Sequence, residues 1–306
     1  MATCSIIIPV YNKHDYVGRC LQMALSQEFA DYEVVAVDDG STDGSGAVCD
    51  AVAAEDPRLR VIHTANGGVT AARREGVKAA QGDFVMFCDS DDELLPHAIA
   101  DAYRTAVETG ADEVIAPFRN QHGRIFDSGR RGEIDADDII CDFLSSRMSF
   151  PPNAGVLYRR SMLDGCLETP RDIVMGEDLL FHMTFLMKKP RVVCNGTVNY
   201  VYNQGISAPF TATLEYEQAY DAHLRHILKA RWDDFEPWYT WHQLKSYERL
   251  IDQRQFDVRS KYYRGLRVWR KPIPLTDRIA YLLPPRIAYI VISYYKRRLA
   301  RQVSGC

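Results

Sequence analysis

The sequence predicts an α/β fold: a mostly parallel sheet with helices on both faces, followed by a helical C-terminal region. Three observations carry this. Residues 1 to about 117 alternate short apolar runs with stretches of helical spacing. The apolar runs are continuous and rich in Val, Ile and Phe, as strands buried on both faces are. After about residue 216 the strand signals stop and long aromatic-rich helical patterns take over.

In order, "SIIIPV" reads as a strand and "YVGRCLQMALSQ" as the helix that follows it. "YEVVAVDD" precedes "GAVCDAVAAE", "RVIH" precedes "VTAARREGVKAA", "DFVMFCD" precedes "HAIADAYRTAVETG", and "DEVIAPF" closes the series. Repeated strand and helix units of this kind wind into a Rossmann-like sheet. The chain divides into a first half at 1–117, an irregular Gly- and Pro-punctuated second half of the same domain at 118–215, and a helical, basic region at 216–306. In the second half "VMGEDLLFHMTFLM" reads as a helix opened by acidic residues, which suit the positive end of the helix dipole. Asp135, Asp137 and Asp138 read as the cap of another helix.

Composition bounds the function. With 306 residues and 46% hydrophobic content the chain can bury a large core. Its eight cysteines show no C-x-x-C pair, which excludes the common zinc frameworks and leaves reduced thiols of a cytoplasmic protein as the expectation. No signal peptide is expected, and Asn195-Gly196-Thr197 reads as a turn. The net charge of -4 hides an asymmetry: between Arg254 and Arg301, 13 basic residues face only Asp257 and Asp277. Such polarity points to an anionic partner, and the tail "IAYIVISYYKRRLARQ" suits either an anionic membrane surface or packing on the protein's own core. No nucleic-acid partner is expected.

Ligands of open parallel sheets bind outside the carboxyl ends of the strands. Pro9, Tyr11 and Asn12, then Asp38 and Asp39, then Asp89 to Asp92 follow three predicted strands and therefore share one rim. "GDFVMFCDSDDELLP" crowds Asp89, Asp91, Asp92 and Glu93 into five positions. Like charges this close raise one another's pKa unless a cation neutralises them. Carboxylates one residue apart can share Mg²⁺ or Mn²⁺, ions that are usually completed by substrate phosphates. A solvated turn before a helix cap is the alternative. Neither a Walker loop nor G-x-G-x-x-G is present, which removes the usual support for ATP hydrolysis and dinucleotide redox chemistry.

"SIIIPVYNKHDYVGRCLQMALSQ", "VVAVDDGSTDGS", "NGGVTAARREG" and "GDFVMFCDSDD", in this order, with "GED" at 176–178, resemble the family 2 glycosyltransferases. The resemblance covers about the first 115 residues and implies an inverting enzyme of the A-type, nucleotide-sugar-binding fold. It implies that Pro9 and Tyr11 line the pocket of the base, most often uracil, and that Asp39 accepts hydrogen bonds from it. Arg73 matches the arginine facing the nucleotide, while Arg74 stands where Asn is often found. Asp89 would contact the ribose, Ser90 would lie beside the donor, and Asp91, with Asp89, would hold Mn²⁺ or Mg²⁺ at the diphosphate. Asp92 is either a supporting acid or a helix cap, and Ser41, Thr42 and Asp43 read as caps of the next helix. Asp178 is the expected general base, with Glu177 beside it. Ser207 and Gln204 match a loop near the diphosphate only loosely, and a strand followed by a turn fits them as well. His223 and His226 lack a third ligand.

The implied reaction moves a sugar from a nucleotide diphosphate donor, a UDP-sugar for preference, to a glycan or lipid-linked saccharide, as in surface or capsular polysaccharide synthesis. Two alternatives stand beside it. One is a membrane-attached, non-catalytic nucleotide-sugar binder. The other is a sugar-phosphate nucleotidyltransferase, against which "PVYNKHDY" stands where that class carries a Gly-rich loop.

Overall fold

The computed structural model describes residues 2–146, 153, 155–203, 210–269 and 272–303, the last nine and Ser260 by their backbone alone. The chain forms two compact units, one of Met1–Ile139 with Ser149–Pro209 and one of Ile140–Met148 with Phe210–Cys306.

The first unit runs β1 (Cys4–Val10), α1 (His14–Leu25), β2 (Tyr32–Asp38), α2 (Ser45–Glu55), β3 (Leu59–His63), α3 (Val69–Ala79), β4 (Phe84–Phe87), β5 (Glu93–Leu94), α4 (Ala98–Thr109) and β6 (Glu113–Ile115). It continues with β7 (Phe118–Asn120), β8 (Ile125–Phe126), β9 (Gly132–Ile134), the start of α5 (Ala136–Leu144), whose residues from Ile140 on belong to the second unit, β10 (Leu157–Arg159), α6 (Glu177–Leu186), β11 (Val192–Cys194) and β12 (Tyr200–Tyr202). An eight-stranded sheet has the order β3-β2-β1-β4-β10-β6-β11-β9, and a four-stranded sheet the order β5-β12-β7-β8. The pairs β1–β2, β1–β4, β2–β3 and β6–β11 are parallel. β10 enters antiparallel between β4 and β6, so the predicted fourth and fifth strands are not neighbours.

Both faces of β1 are covered, which explains its unbroken apolar run. Ile6, Ile8 and Val10 join Val17, Leu21 and Ala24 of α1 in one core. On the other face α3 approaches so closely that a Cβ on Gly76 would lie 2.3 Å from Ile7 Cγ2. That approach fixes α3, and Arg73 on it, over the ends of the central strands.

The second unit contains α7 (Leu214–Leu228), α8 (Trp232–Asp252), α9 (Val258–Lys261), α10 (Leu275–Leu282) and α11 (Pro285–Val303). Its core gathers Trp241, Leu244, Tyr247 and Ile251 with Tyr263, Tyr281 and Ala288. Beside that core, exposed apolar side chains follow one face of α10 (Leu275, Ile279, Leu282) and one of α11 (Ile287, Ile290, Tyr294). The spacings of three, four and seven residues make each set a stripe along its helix. Among the described residues no helix is long and apolar enough to cross a membrane.

Several local expectations meet their outcome here. Asp135 accepts the N–H of Asp137 at the start of α5, as a cap does. Asn195 accepts the N–H of Thr197 in a turn. The cap of α2 is different from the expected one: Gly44 occupies the N-cap position, and Asp43 accepts the Ser45 N–H from outside the helix. Ser41 instead accepts the N–H of Asn12, and Thr42 donates its own to Asn12 Oδ1, so these residues tie two rim loops together. His223 and His226 lie on α7, and among the described residues no group of three His, Cys, Asp or Glu side chains is placed to hold a metal ion. The seven described cysteines are free thiols.

Candidate active site

The site is assembled where β1, β2 and β4 end. Pro9 is buried in β1, and the chain leaves the strand through Tyr11, whose ring is 48% exposed, and Asn12, held at φ 51° by its bonds to Ser41 and Thr42. Asp38 turns away from the rim, toward the Ser41 N–H and His63. Burial would raise its pKa, but those bonds outweigh it and hold the carboxyl below its ordinary value. Asp39 faces the rim and accepts the N–H groups of Gly67 and Gly68 at 2.7 and 2.8 Å. One acid thus fastens the loop before α3 while its remaining lone pairs stay in the cleft.

Arg73 points inward from α3 and is 4% exposed. It donates to Asp89 Oδ1 at 2.7 Å, and its other terminal nitrogen is 3.8 Å from Glu177 Oε1. Burial works against its charge, but the carboxylates of Asp89 and Glu177 outweigh that and raise its pKa. Arg74 points the other way, to the carbonyl of Leu167 and to Glu168.

After β4 each acid meets a different partner. Asp89 is bound by Arg73. Asp91 Oδ2 accepts from Lys13 Nζ at 2.5 Å. Buried Asp92 accepts from Tyr200 Oη at 2.6 Å and from the Asn203 N–H at 2.7 Å, which makes it a brace to the second sheet and not a helix cap. Burial, with the Asp89 charge next, pushes its pKa up to about 8. Ser90 is buried between them.

The acid pair opens α6, preceded by Gly176 in the left-handed region at φ 76°. Burial first, then the Asp178 charge, pushes Glu177 up to about 7. Burial also raises Asp178, against the pull of Arg73 and the bond that it accepts from the Leu179 N–H at 2.7 Å. Two raised carboxyls beside one arginine are the pattern of an acid and base site.

The structure brings Pro9, Tyr11, Asp39, Arg73, Asp89, Ser90, Asp91 and Glu177 together around one open cleft of about 390 Å³. Asp178 follows Glu177 but is not among the residues lining that cleft. Sequence reasoning missed Lys13, Asn66 and Arg171, which also line it, and Tyr200 and Asn203, which support it. Lys13 lay within a motif already singled out, but nothing local tied it to Asp91, 78 positions on. Arg171 bonds to Asn66 across 105 positions, and nothing local signals that pairing. Gln204 and Ser207 lie outside the described residues.

Comparison with known proteins agrees with this geometry. The model of the family described as "Glycosyl transferase family 2" matches residues 5–166. The poly(ribitol-phosphate) beta-glucosyltransferase of Bacillus spizizenii is 30% identical over 203 residues, which cover 65% of this chain and 32% of the relative; the chain thus spans about a third of that protein's length. The crystal structure of S. aureus TarS 1-349 in complex with UDP-GlcNAc superposes with a TM-score of 0.65 at 19% identity, over 97% of this chain and 92% of TarS 1-349. The mannosyltransferase PcManGT from Pyrobaculum calidifontis, in complex with GDP-Man and Mn²⁺, superposes at 0.52 and 17% identity, over 95% and 84%. These two share the fold. The match of the family model over more than half of the chain, on the segment that supplies most of the cleft, makes this chain a member of glycosyl transferase family 2.

Proposed function

We propose that the protein transfers a sugar, with inversion at the anomeric carbon, from a UDP-sugar to a glycan or lipid-linked saccharide in the synthesis of a surface polysaccharide. The observation that carries this is the cleft in which Pro9, Tyr11 and Asp39 meet Arg73, Asp89, Asp91 and Glu177, with Asp178 next to Glu177 in the chain. The likeness to TarS, seen with UDP-GlcNAc, supports the choice of donor. Raised acids converging on the cleft favour an enzyme over a binding scaffold.

In this reading the Tyr11 ring stacks on the base, Asp39 accepts from it, and Asp89 accepts from the ribose. The residues present fit a divalent ion: Asp91 offers one accessible carboxylate, and Mg²⁺ or Mn²⁺ is commonly held by one or two carboxylates plus substrate phosphates. When bound, the ion would stabilise the charge of the departing diphosphate. Asp178 takes the proton of the attacking hydroxyl as that oxygen bonds to the anomeric carbon and the bond to the diphosphate breaks, so an α-linked donor gives a β-linked product. Glu177 and Arg73 hold the base and the acceptor side in register. The test is a pair of variants. Asp178→Asn should keep UDP-GlcNAc binding by calorimetry and lose transfer, and Asp91→Ala should lose the part of binding that depends on Mn²⁺. Normal transfer by Asp178→Asn would remove it as the base.

The apolar stripes of α10 and α11, in a basic segment, support seating on an anionic membrane at the cytoplasmic face. Lys296, Arg297, Arg298 and Arg301 of the tail lie beyond the described side chains. Pelleting with phosphatidylglycerol vesicles, reversed by salt and lost on truncation after Pro285, is the expected result. No pelleting at low salt would overturn it.

A further inference from the structure

Among residues that do not line the cleft lies a buried Glu–His pair that no step of the proposed reaction uses. Glu113 stands on β6, paired in register with Tyr158 of β10 and Val192 of β11, and is 0% exposed. Against it, from α6, lies His182, also 0% exposed, its Nε2 in ion-pair contact with Glu113 Oε1. Neither carboxylate oxygen of Glu113 has a hydrogen-bond donor of good geometry among the described residues, so the contact with His182 is an ion-pair approach. Among the described residues, Tyr158 meets the His182 ring edge-on at 6.0 Å, and Phe181 and Phe185 pack on Tyr158.

Such a pair is a poor source of stability. Desolvating two charged groups costs several kcal/mol, and apolar replacements are often as stable or more so. Its position supplies a different reason. His182 follows Asp178 by four residues on one helix, so the two share a face one turn apart. The charged and titratable groups acting on Asp178 come from every neighbouring element: Arg73 on α3, Asp89 after β4, Tyr158 on β10, and Glu177 and His182 on α6. Among these, Arg73 and His182 are the groups that pull the Asp178 carboxyl toward its ionised form. Arg73 is bonded to Asp89 and close to Glu177, and it faces the cleft where the donor sits. His182 acts from inside the protein, where no substrate charge can draw it away.

We propose that Glu113 and His182 form a buried positioning pair for Asp178: Glu113 anchors the imidazole from the sheet, and the protonated ring presents a fixed positive charge one helical turn from the base. The first turn of α6 is thereby held between Arg73 on the cleft side and His182 on the core side. This rests on Asp178 being the base.

The experiment follows hydrolysis of UDP-GlcNAc with Mn²⁺, water serving as acceptor, across pH for the wild type, Glu113→Gln and His182→Gln, with donor affinity measured by calorimetry. The expected result is a donor Kd within about twofold of the wild type, kcat lower by about tenfold at pH 6.5, and an acidic limb moved up by about one pH unit. Because the two act as one unit, the double variant should be no slower than the slower single. An unmoved acidic limb in a folded variant, or a donor affinity that falls in step with kcat, would overturn the proposal. Should the variants fail to fold, ¹⁵N-histidine spectra of the wild type decide it. A solvent-protected imidazole with both nitrogens protonated at pH 7.5 supports the pair, and a neutral one overturns it. Asp178→Asn separates the two failures. If it hydrolyses the donor normally, the base assignment falls; if it is inactive while Glu113→Gln keeps the wild-type limb, only the positioning pair falls.

Discussion

Replacing Arg73 by Met keeps most of the stem and removes the buried charge that two partly buried acids, Asp89 and Glu177, share. The loss has two parts of different pH dependence. At 3.8 Å from Glu177 and an effective dielectric of about 20, the direct attraction is about 4 kcal/mol. Removing one partner of a buried pair typically costs about 3–5 kcal/mol, since the other is left uncompensated. Glu177 can escape by taking up a proton. Its folded pKa of about 7 lies above its ordinary value of 4.5, so its contribution to stability is fully present below 4.5 and is lost as pH rises through 7. Above 7 the wild type stops losing stability, because Glu177 then ionises beside Arg73. Arg73→Met, with that pKa driven higher, goes on losing about 1.4 kcal/mol for each further pH unit. Its deficit should therefore be larger at pH 8 than at pH 5.5 by about 1.4 kcal/mol, within a total of about 3–5 kcal/mol. The assay is urea unfolding followed by far-UV circular dichroism at both pH values. All four tryptophans, Trp232, Trp238, Trp241 and Trp269, belong to the second unit, so their fluorescence would follow the wrong part. Equal deficits at the two pH values, or a smaller one at pH 8, would refute the charge-sharing account.

Gly76→Ala should destabilise by about 1–3 kcal/mol in urea, because its Cβ would meet Ile7 Cγ2 at 2.3 Å, and Ile7→Ala should recover part of that loss in the double variant. Arg74→Ala should change stability by less than about 1 kcal/mol and leave UDP affinity unaltered, since its contacts are half-exposed and outside the cleft. Tyr11→Ala should weaken UDP binding by about 1–3 kcal/mol in calorimetry while the unfolding midpoint stays put, and Tyr11→Phe should restore the affinity; an unchanged Kd for the alanine variant would remove the stacking role.

The legible part of the fold was the part built by local rules. Continuous apolar runs between helical segments gave β1 to β4, β6 and α1 to α4: β1, β2, β4 and β6 are buried throughout, while β3, at the sheet edge, is only partly so. β5 and β7 to β12 are strands of two or three residues, too short for any period to register, and β10 pairs with β4 from more than 70 positions away. The same limit runs through the site. Acids at strand ends were visible as a pattern, but their partners were not: Tyr200 and Asn203 reach Asp92 across 108 and 111 positions. The choice between Arg73 and Arg74 turned on α3 rather than on motif, since the close approach at Gly76 fixes which helical face lies on β1. Glu113 drew no attention because an acid at the head of "DEVIAPF" looks like the edge of a strand, whereas the sheet encloses it completely.

The acids at the rim looked, from sequence, like one pool of negative charge awaiting one cation. The structure divides that pool. Asp89 is neutralised by a guanidinium that neighbouring acids keep charged against the cost of burial, and Asp92 by hydrogen bonds with its pKa raised to about 8. Asp91 alone of the three is met by a flexible ammonium, Lys13, on a loop tied down through its backbone N–H to Ser45. A lysine is a strongly hydrated point charge on a four-carbon stem, and of these three neutralising arrangements it is the one that can be exchanged without moving backbone. Exchange of charge in the cleft is therefore confined to one carboxylate, while Arg73 and the braces of Asp92 keep the surrounding geometry fixed. A diphosphate carrying a divalent ion would meet a frame already built around the position it has to occupy, so that binding reorganises a side chain and not a loop.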